Sequence, residues 1–412
     1  MVAAYAYQLQ GYAAYSAVVL FLVALLALIM HIRLPRRWAI YFYARKALYA
    51  HRFGNPLGLK KGAALPHIHV KKIGEDYLLT IYTASVTVEK IAAAQSAISS
   101  AFRGRLKHYA ATKPDADIAS SYLRFTVADV VKDRSITVTS TADLLMHKQV
   151  TRLAIQSDTY LDLTSSGSML LAGKTRSGKT TGAIALLLQI LSHGADAHGS
   201  RVVIVDPKQA ELSRLPGVLT LDESGNPDPI VQGVLDFQEH ISTRQKVLNE
   251  LSEQTGRAVK WWDADMHPSV LFLDEFVALR SMLPARLTKD MTGYSREQFD
   301  SALRKILTMG ASAGCFVMLS IAQANAEQLP TMLRDAFSTR ILFRPTLDEG
   351  ALMWDRAALT ALPPRIYAPG EAWFSSSDGV HDQVTAVRFP RPSPEFEEYG
   401  ELARLLRSYG SA

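Results

Sequence analysis

A glycine, four residues, then glycine, lysine and threonine make up the run LLAGKTRSGKTT, residues 170–181. This spacing suits a loop whose backbone N–H groups, from Lys174 through Thr175, Arg176, Ser177 and Gly178 to Lys179, turn inward around a phosphate chain. The positive end of a following helix would stand behind them. Gly173 and Gly178 permit backbone shapes that a side chain would obstruct. Lys179 can reach the β- and γ-phosphates, the Thr180 hydroxyl can ligate Mg²⁺, and Thr181 completes an ATP-binding run over 173–181. A second run, VLFLDEF, ends an apolar stretch on Asp274, suited to holding Mg²⁺, with Glu275 beside it as a general base for water. Alone, the first run could be a chance loop and the second a buried strand with a solvated turn. Together and in this order they point to ATP hydrolysis.

Elements must hold these residues in place. From about residue 158, short apolar runs alternate with helical segments, the pattern of an α/β fold with a mostly parallel sheet covered on both faces. The expected strands are 168–173, 201–206, 269–274, 315–320 and 340–345, with helices over 179–192, 230–251 and about 295–313. Upstream lies a small α+β region. Strands are expected at HIHVKKI and at 77–83, a helix over 85–102, and β-like runs at 122–130 and 135–139. His67 and His69 could share a strand face, but with no third ligand in view they read as ordinary strand histidines. At the far end, Ser393 as N-cap and Pro394 at the first helical position open a tail helix. Its Phe396, Tyr399, Leu402, Leu406 and Tyr409 form an apolar stripe fit for docking on the α/β region or a partner.

The chain has 412 residues and a net charge of +6. No acid precedes Glu75, whereas ten of the 45 Lys and Arg do, so the remainder carries 35 basic against 39 acidic residues. The basic excess is therefore local and is no argument for nucleic acid. It follows AAYSAVVLFLVALLALIMHI, residues 13–32, which has no Asp, Glu, Lys or Arg. At about 1.5 Å per residue this run could span a bilayer of about 30 Å as a single transmembrane helix. Tyr12 and Tyr15 on one side, and Trp38, Tyr41 and Tyr43 on the other, resemble interfacial belts. Cations on the C-terminal side only place that side in the cytoplasm, with a short N-terminus outside, and the Arg/Lys segment against anionic headgroups. A cleaved signal peptide would carry its basic residues first. The single cysteine, Cys315, excludes an intramolecular disulfide.

With VIVDPKQAELSRLPGV (203–218), VLFLDEFVALRSML and SIAQ added to the glycine-rich run, residues 158–390 resemble the motor of FtsK/SpoIIIE DNA translocases. More narrowly they resemble the membrane-anchored, TcpA-like coupling proteins of conjugative plasmids and integrative elements. Asp206-Pro207-Lys208 and Gln323 are the more specific parts of the match. The resemblance implies a RecA-like P-loop motor acting as a homo-hexameric ring on DNA, at a cell membrane, with a relaxase and a conjugation channel as further partners. It makes Gln323 a polar sensor near the γ-phosphate. It also exposes a departure, because Ala311 stands where relatives carry an arginine. Arg304 and Arg340 are the substitutes for a residue completing a neighbour's site, and Arg340 matches a family position. DNA contacts are marked only by Arg286, Lys289 and Arg296, which a solvated loop explains as well. The expected organisation is an anchor and basic segment (1–61), the small α+β domain (62–150), the motor (151–390) and the tail helix (391–412). An ATPase of a protein secretion system and an ATP-binding membrane scaffold remain alternatives.

Overall fold

The computed structural model describes residues 15–16, 18–25, 35–49, 55–59, 63–84, 86–194, 198–289, 292–324, 329–359, 362 and 365–409. The chain divides into two compact units, one up to Lys132 and one from Asp133.

In the first unit, strands β1 (Ile68–Ile73), β2 (Asp76–Tyr82), β3 (Tyr109–Ala116) and β4 (Tyr122–Asp129) form an antiparallel sheet in the order β1-β2-β4-β3. Helix α1 (Arg36–Tyr49) buries Ile40, Ala44 and Leu48, one residue per turn, in the same core as β2 and β4. The basic segment after the apolar run is thus in part a core helix. The expected helix over 85–102 is two shorter ones, α2 (Val88–Ala93) and α3 (Gln95–Ala101), separated at Ala94. Ile91 and Ile98 are buried, and Gln95 Nε2 donates to Ala111 O at 3.0 Å. Strand β3 was not foreseen: it contains Lys113 at φ 49° and Pro114, at a register shift on the sheet edge, where a missing N–H is tolerated. His67 and His69 are both exposed.

Of the apolar run over 13–32, residues 15, 16 and 18–25 are helical and exposed. The rest of that run lies outside the described residues, as do Tyr12, Arg33, Arg52, Lys60 and Lys61. Among the described residues no helix is long and apolar enough to cross a membrane.

The second unit holds the five expected parallel strands: β5 (Met169–Ala172), β6 (Val202–Val205), β7 (Ser269–Leu273), β8 (Cys315–Ile321) and β9 (Thr339–Phe343). Antiparallel β10 (Glu371–Ser376) and β11 (Thr385–Arg388) extend one edge, so the sheet is mixed, in the order β11-β10-β9-β5-β8-β7-β6. Side chains alternate between two cores, as the period of two requires. Leu171, Ile204, Phe272 and Met318 face helix α4 (Lys179–Ser192), while Leu170, Val203, Leu271 and Val317 face α5 (Asp228–Thr255), α6 (Phe276–Met282) and α7 (Arg296–Met309). Thr137–Val138 pair with Arg391–Pro392, which joins the stretch after Asp133 to this unit, ahead of the boundary expected near residue 150.

The tail helix α8 (Glu398–Tyr409) starts later than its apparent cap. Ser393 instead closes a turn by accepting from Phe396 N at 3.0 Å, and Pro394 lies within that turn. Leu402 is fully buried, and Phe396, Tyr399, Leu406 and Tyr409 pack on the α4 side of the sheet.

Candidate nucleotide-hydrolysis site

Strand β5 runs directly into the glycine-rich loop, and the loop opens α4. Gly173 has φ 152°, and its N–H donates to Ile321 O at the end of β8, at 3.2 Å. A Cβ there would lie 2.7 Å from Ser177 Oγ and 3.0 Å from Phe343. Gly178 has φ 91°, and a Cβ there would lie 2.5 Å from Gly370 N. The Pro369-Gly370 turn before β10 thus braces the loop from outside, and Gly370 N donates to Ser177 O at 2.9 Å. Both glycines are required by close approach as well as by φ. Lys174, Thr175 and Arg176 are exposed, Arg176 with φ 63°, and Thr180 and Thr181 are half-buried in the first turn of α4. Ser177 Oγ is buried and meets no protein partner. A cradle that a methyl group would fill, at a helix N-terminus, fits a phosphate chain.

The acids come from the C-terminal ends of β7 and β6, beside β5 and β8. Lys179 is 8% exposed. Its Nζ donates to Ser320 Oγ at 2.5 Å and lies 3.9 Å from Asp274 Oδ1. Burial raises the Asp274 carboxyl above its ordinary value, opposed by the Lys179 charge and a Ser320 hydrogen bond, while Glu275 and Asp206 push further up. Glu275 precedes α6 in the left-handed region, φ 49° and ψ 47°. Its Oε2 is 3.0 Å from Lys208 Nζ. Asp206, 1% exposed, accepts N–H bonds from Lys208 (3.1 Å), Ala210 (2.9 Å) and Ser213 (3.1 Å). The Thr180 hydroxyl and the Asp274 carboxylate are hard oxygen donors, the kind Mg²⁺ takes.

Gln323 follows β8 on the same edge of the sheet and is exposed. Arg340 lies elsewhere. It pairs with Leu170 in β5, three residues before Gly173, and so sits back from the loop edge. Its Nε donates to Phe337 O at 3.4 Å, another nitrogen donates to Met353 O, and Asp335 is 3.6 Å away. Arg304 and Ala311 are exposed. Among the loop cations, Arg296 donates to Arg280 O and Leu283 O, both at 3.1 Å, and Arg286 pairs with Glu297 at 3.0 Å. Lys289 is exposed.

Several site residues were not singled out in the sequence. Ser320 is a polar residue near the end of an apolar strand, a signal that was available. Glu349, hydrogen-bonded by Thr346, pairs with the loop's Lys174 at 3.0 Å. Gly370 meets the site only through folding, and Lys208, part of the Asp206-Pro207-Lys208 match, is brought onto Glu275 only by the fold. Elsewhere, His198, Asp265 and His267 bring ligand atoms within 4.8 Å of one another. The two imidazoles are stacked, however, at 3.8 Å and 15°, which sets their nitrogens side by side rather than around one point.

A mixed sheet with five parallel strands, a glycine cradle, a buried lysine and paired strand-end acids define a P-loop ATPase. In sequence the chain is similar to the FtsK domain-containing protein YdcQ of Bacillus subtilis, at 26% identity over 183 residues, 44% of this chain and 35% of that protein. The chain therefore matches about a third of the length of this curated relative. In fold it is similar to the pCW3 conjugation coupling protein TcpA, solved in monomer form with ATPγS. The TM-score is 0.51 at 12% identity, covering 90% of this chain and 99% of that one. EssC (ATPases 2 and 3) from Geobacillus thermodenitrificans gives a TM-score of 0.46 at 15% identity, over 68% of this chain and 52% of that one. No family model matches the chain. The resemblance to FtsK-type motors read from the motifs is thus met again in a curated sequence, and the chain shares the fold of the TcpA coupling protein.

Proposed function

We propose that this chain is an ATP-driven DNA translocase of the coupling-protein kind, held at a membrane and working as a ring of identical subunits. The observation that carries hydrolysis is the convergence of Lys179, Asp274, Ser320 and Glu275 on the loop edge of the sheet. On binding, Lys179 exchanges Ser320 and Asp274 for phosphate oxygens. Thr180 and Asp274 would hold Mg²⁺, which neutralises phosphate charge when bound. Glu275 accepts the proton of the water that attacks the γ-phosphate.

DNA as cargo is supported by the similarity to an FtsK-domain protein and by a fold shared with a conjugation coupling protein. A ring is supported by the exposed face of the glycine-rich loop, Lys174, Thr175 and Arg176, which a neighbouring copy could cover, since head-to-tail contacts close into rings when the rotation allows. Membrane attachment is supported by two features of the first unit. Val18, Val19, Leu20, Phe21, Leu22 and Val23 are each more than half exposed on one helix. On α1, the side opposite Ile40, Ala44 and Leu48 carries Trp38, Phe42, Arg45 and Lys46, and no described carboxylate pairs with either cation. Aromatic rings among cations suit an anionic lipid surface, which adds to the expected anchor.

Steady-state phosphate release by the full-length chain in liposomes, with and without double- and single-stranded DNA, tests the cargo. The expected result is turnover that rises several-fold with one form of DNA. Turnover indifferent to both would leave an ATPase whose cargo is something else, such as a secreted protein.

A further inference from the structure

Lys208 comes two residues after Asp206, and its ammonium stands 3.0 Å from Glu275 Oε2. We propose that Lys208 is a positioning residue for the hydrolytic base: it holds one carboxylate oxygen of Glu275 so that the other faces the attacking water. This role rests on the reading of Glu275 as the base.

The loop that carries Lys208 is built to be stiff. Buried Asp206 gathers three of its N–H groups, from Lys208, Ala210 and Ser213. Gln209 takes φ 52°, and Tyr399 of α8 donates to Glu211 Oε2 at 3.0 Å, which ties the loop to a second element. The Lys208 backbone is therefore fixed although half of its side chain is exposed. Glu275 is held against a cost as well. A non-glycine residue at φ 49° persists only where its surroundings over-determine it, and such strain collects at reactive sites. No other described side chain forms an ion pair with Glu275. A half-exposed ion pair adds little to stability, so stability does not account for a lysine placed on this carboxylate. Orientation does, because a base must stand within hydrogen-bond reach of the proton it accepts.

In the step itself, the water oxygen bonds to the γ-phosphorus as the bond to the β–γ bridging oxygen breaks. The products are ADP and inorganic phosphate, and the water's proton passes to the free Glu275 oxygen. Lys208 keeps its protons throughout and touches neither nucleotide nor water.

Lys208→Met and Lys208→Arg in the full-length chain test this. The Met variant should lower kcat by roughly 10- to 100-fold, the usual effect of removing a residue that orients a reacting group. KM, ATPγS affinity and Tm should stay near wild type, and the Arg variant should recover most of the rate. In a Glu275→Gln background, where the amide offers no ion pair, Lys208→Met should cause little further loss. An unchanged or raised kcat, a parallel loss of ATPγS affinity, or a full additional loss in the Gln background would each overturn the role. A wild-type chain without turnover would overturn the base and, with it, this assignment. That result differs from a working enzyme indifferent to Lys208.

Discussion

At the residue scale, Lys179 and Glu275 should fail in different ways. Lys179 is the buried cation aimed into the cradle, so Lys179→Ala removes a charge-assisted contact worth about 1.5–3 kcal/mol, roughly 10- to 100-fold in ATP affinity. Glu275→Gln keeps shape and volume but cannot take a proton. Nucleotide affinity should hold while turnover falls by about 10²- to 10⁴-fold. Calorimetric binding of ATPγS beside steady-state phosphate release separates the two, and a Glu275→Gln chain with normal turnover would remove it as the base. Both residues are legible in the sequence because spacing and neighbours define them. Arg340 is different: a family position suggests it, but only the fold reveals that its guanidinium is bonded to carbonyls of its own chain. Completing a neighbour's site would require releasing those bonds.

Legibility at the scale of elements followed hydrophobic period. The five parallel strands are continuous apolar runs, buried on both faces, and each was found where the sequence placed it. Strand β3 was hidden because Lys113 and Pro114 interrupt it, and an edge strand needs only one good face. Helix α1 was hidden by its arginines, which masked a stripe of just Ile40, Ala44 and Leu48. The start of α8 was misread because Ser393 and Pro394 imitate a cap while forming a turn. The stripe of that helix was sound, and it makes α8 part of the motor's core. Leu402→Ala should cost about 2–5 kcal/mol, the usual range for a fully buried leucine. Denaturant unfolding would measure it, and a loss below about 1 kcal/mol would mean that α8 is a loose tail. Tyr409 strengthens the expectation, since its hydroxyl bonds both Val202 N and Ser200 O at the start of β6.

Across the whole molecule, the charge count assigns the basic excess to one end, while the fold divides that end between two jobs. Residues 13–32 are the proposed anchor, but α1 begins at Arg36 and supplies Ile40, Ala44 and Leu48, all at 0% exposure, to the first unit's core. Two truncations should therefore behave differently, although both remove the apolar run. A chain lacking residues 1–34 keeps α1, so it should unfold at nearly the wild-type temperature and leave the membrane fraction on carbonate washing. It should still bind anionic vesicles weakly through Trp38, Phe42, Arg45 and Lys46, and release from them in salt within the reach of Debye screening. A chain lacking residues 1–61 also loses the buried side chains of Ile40, Ala44, Leu48 and Leu57, the three larger ones at about 2–5 kcal/mol each, more than a small unit can spare. Its first unit should melt, and near-ultraviolet circular dichroism against the shorter truncation would detect the loss. A 1–34 truncation that stays in carbonate-washed membranes would place the attachment elsewhere in the chain. Equal melting of the two truncations would instead mean that α1 adds nothing to the core it packs on.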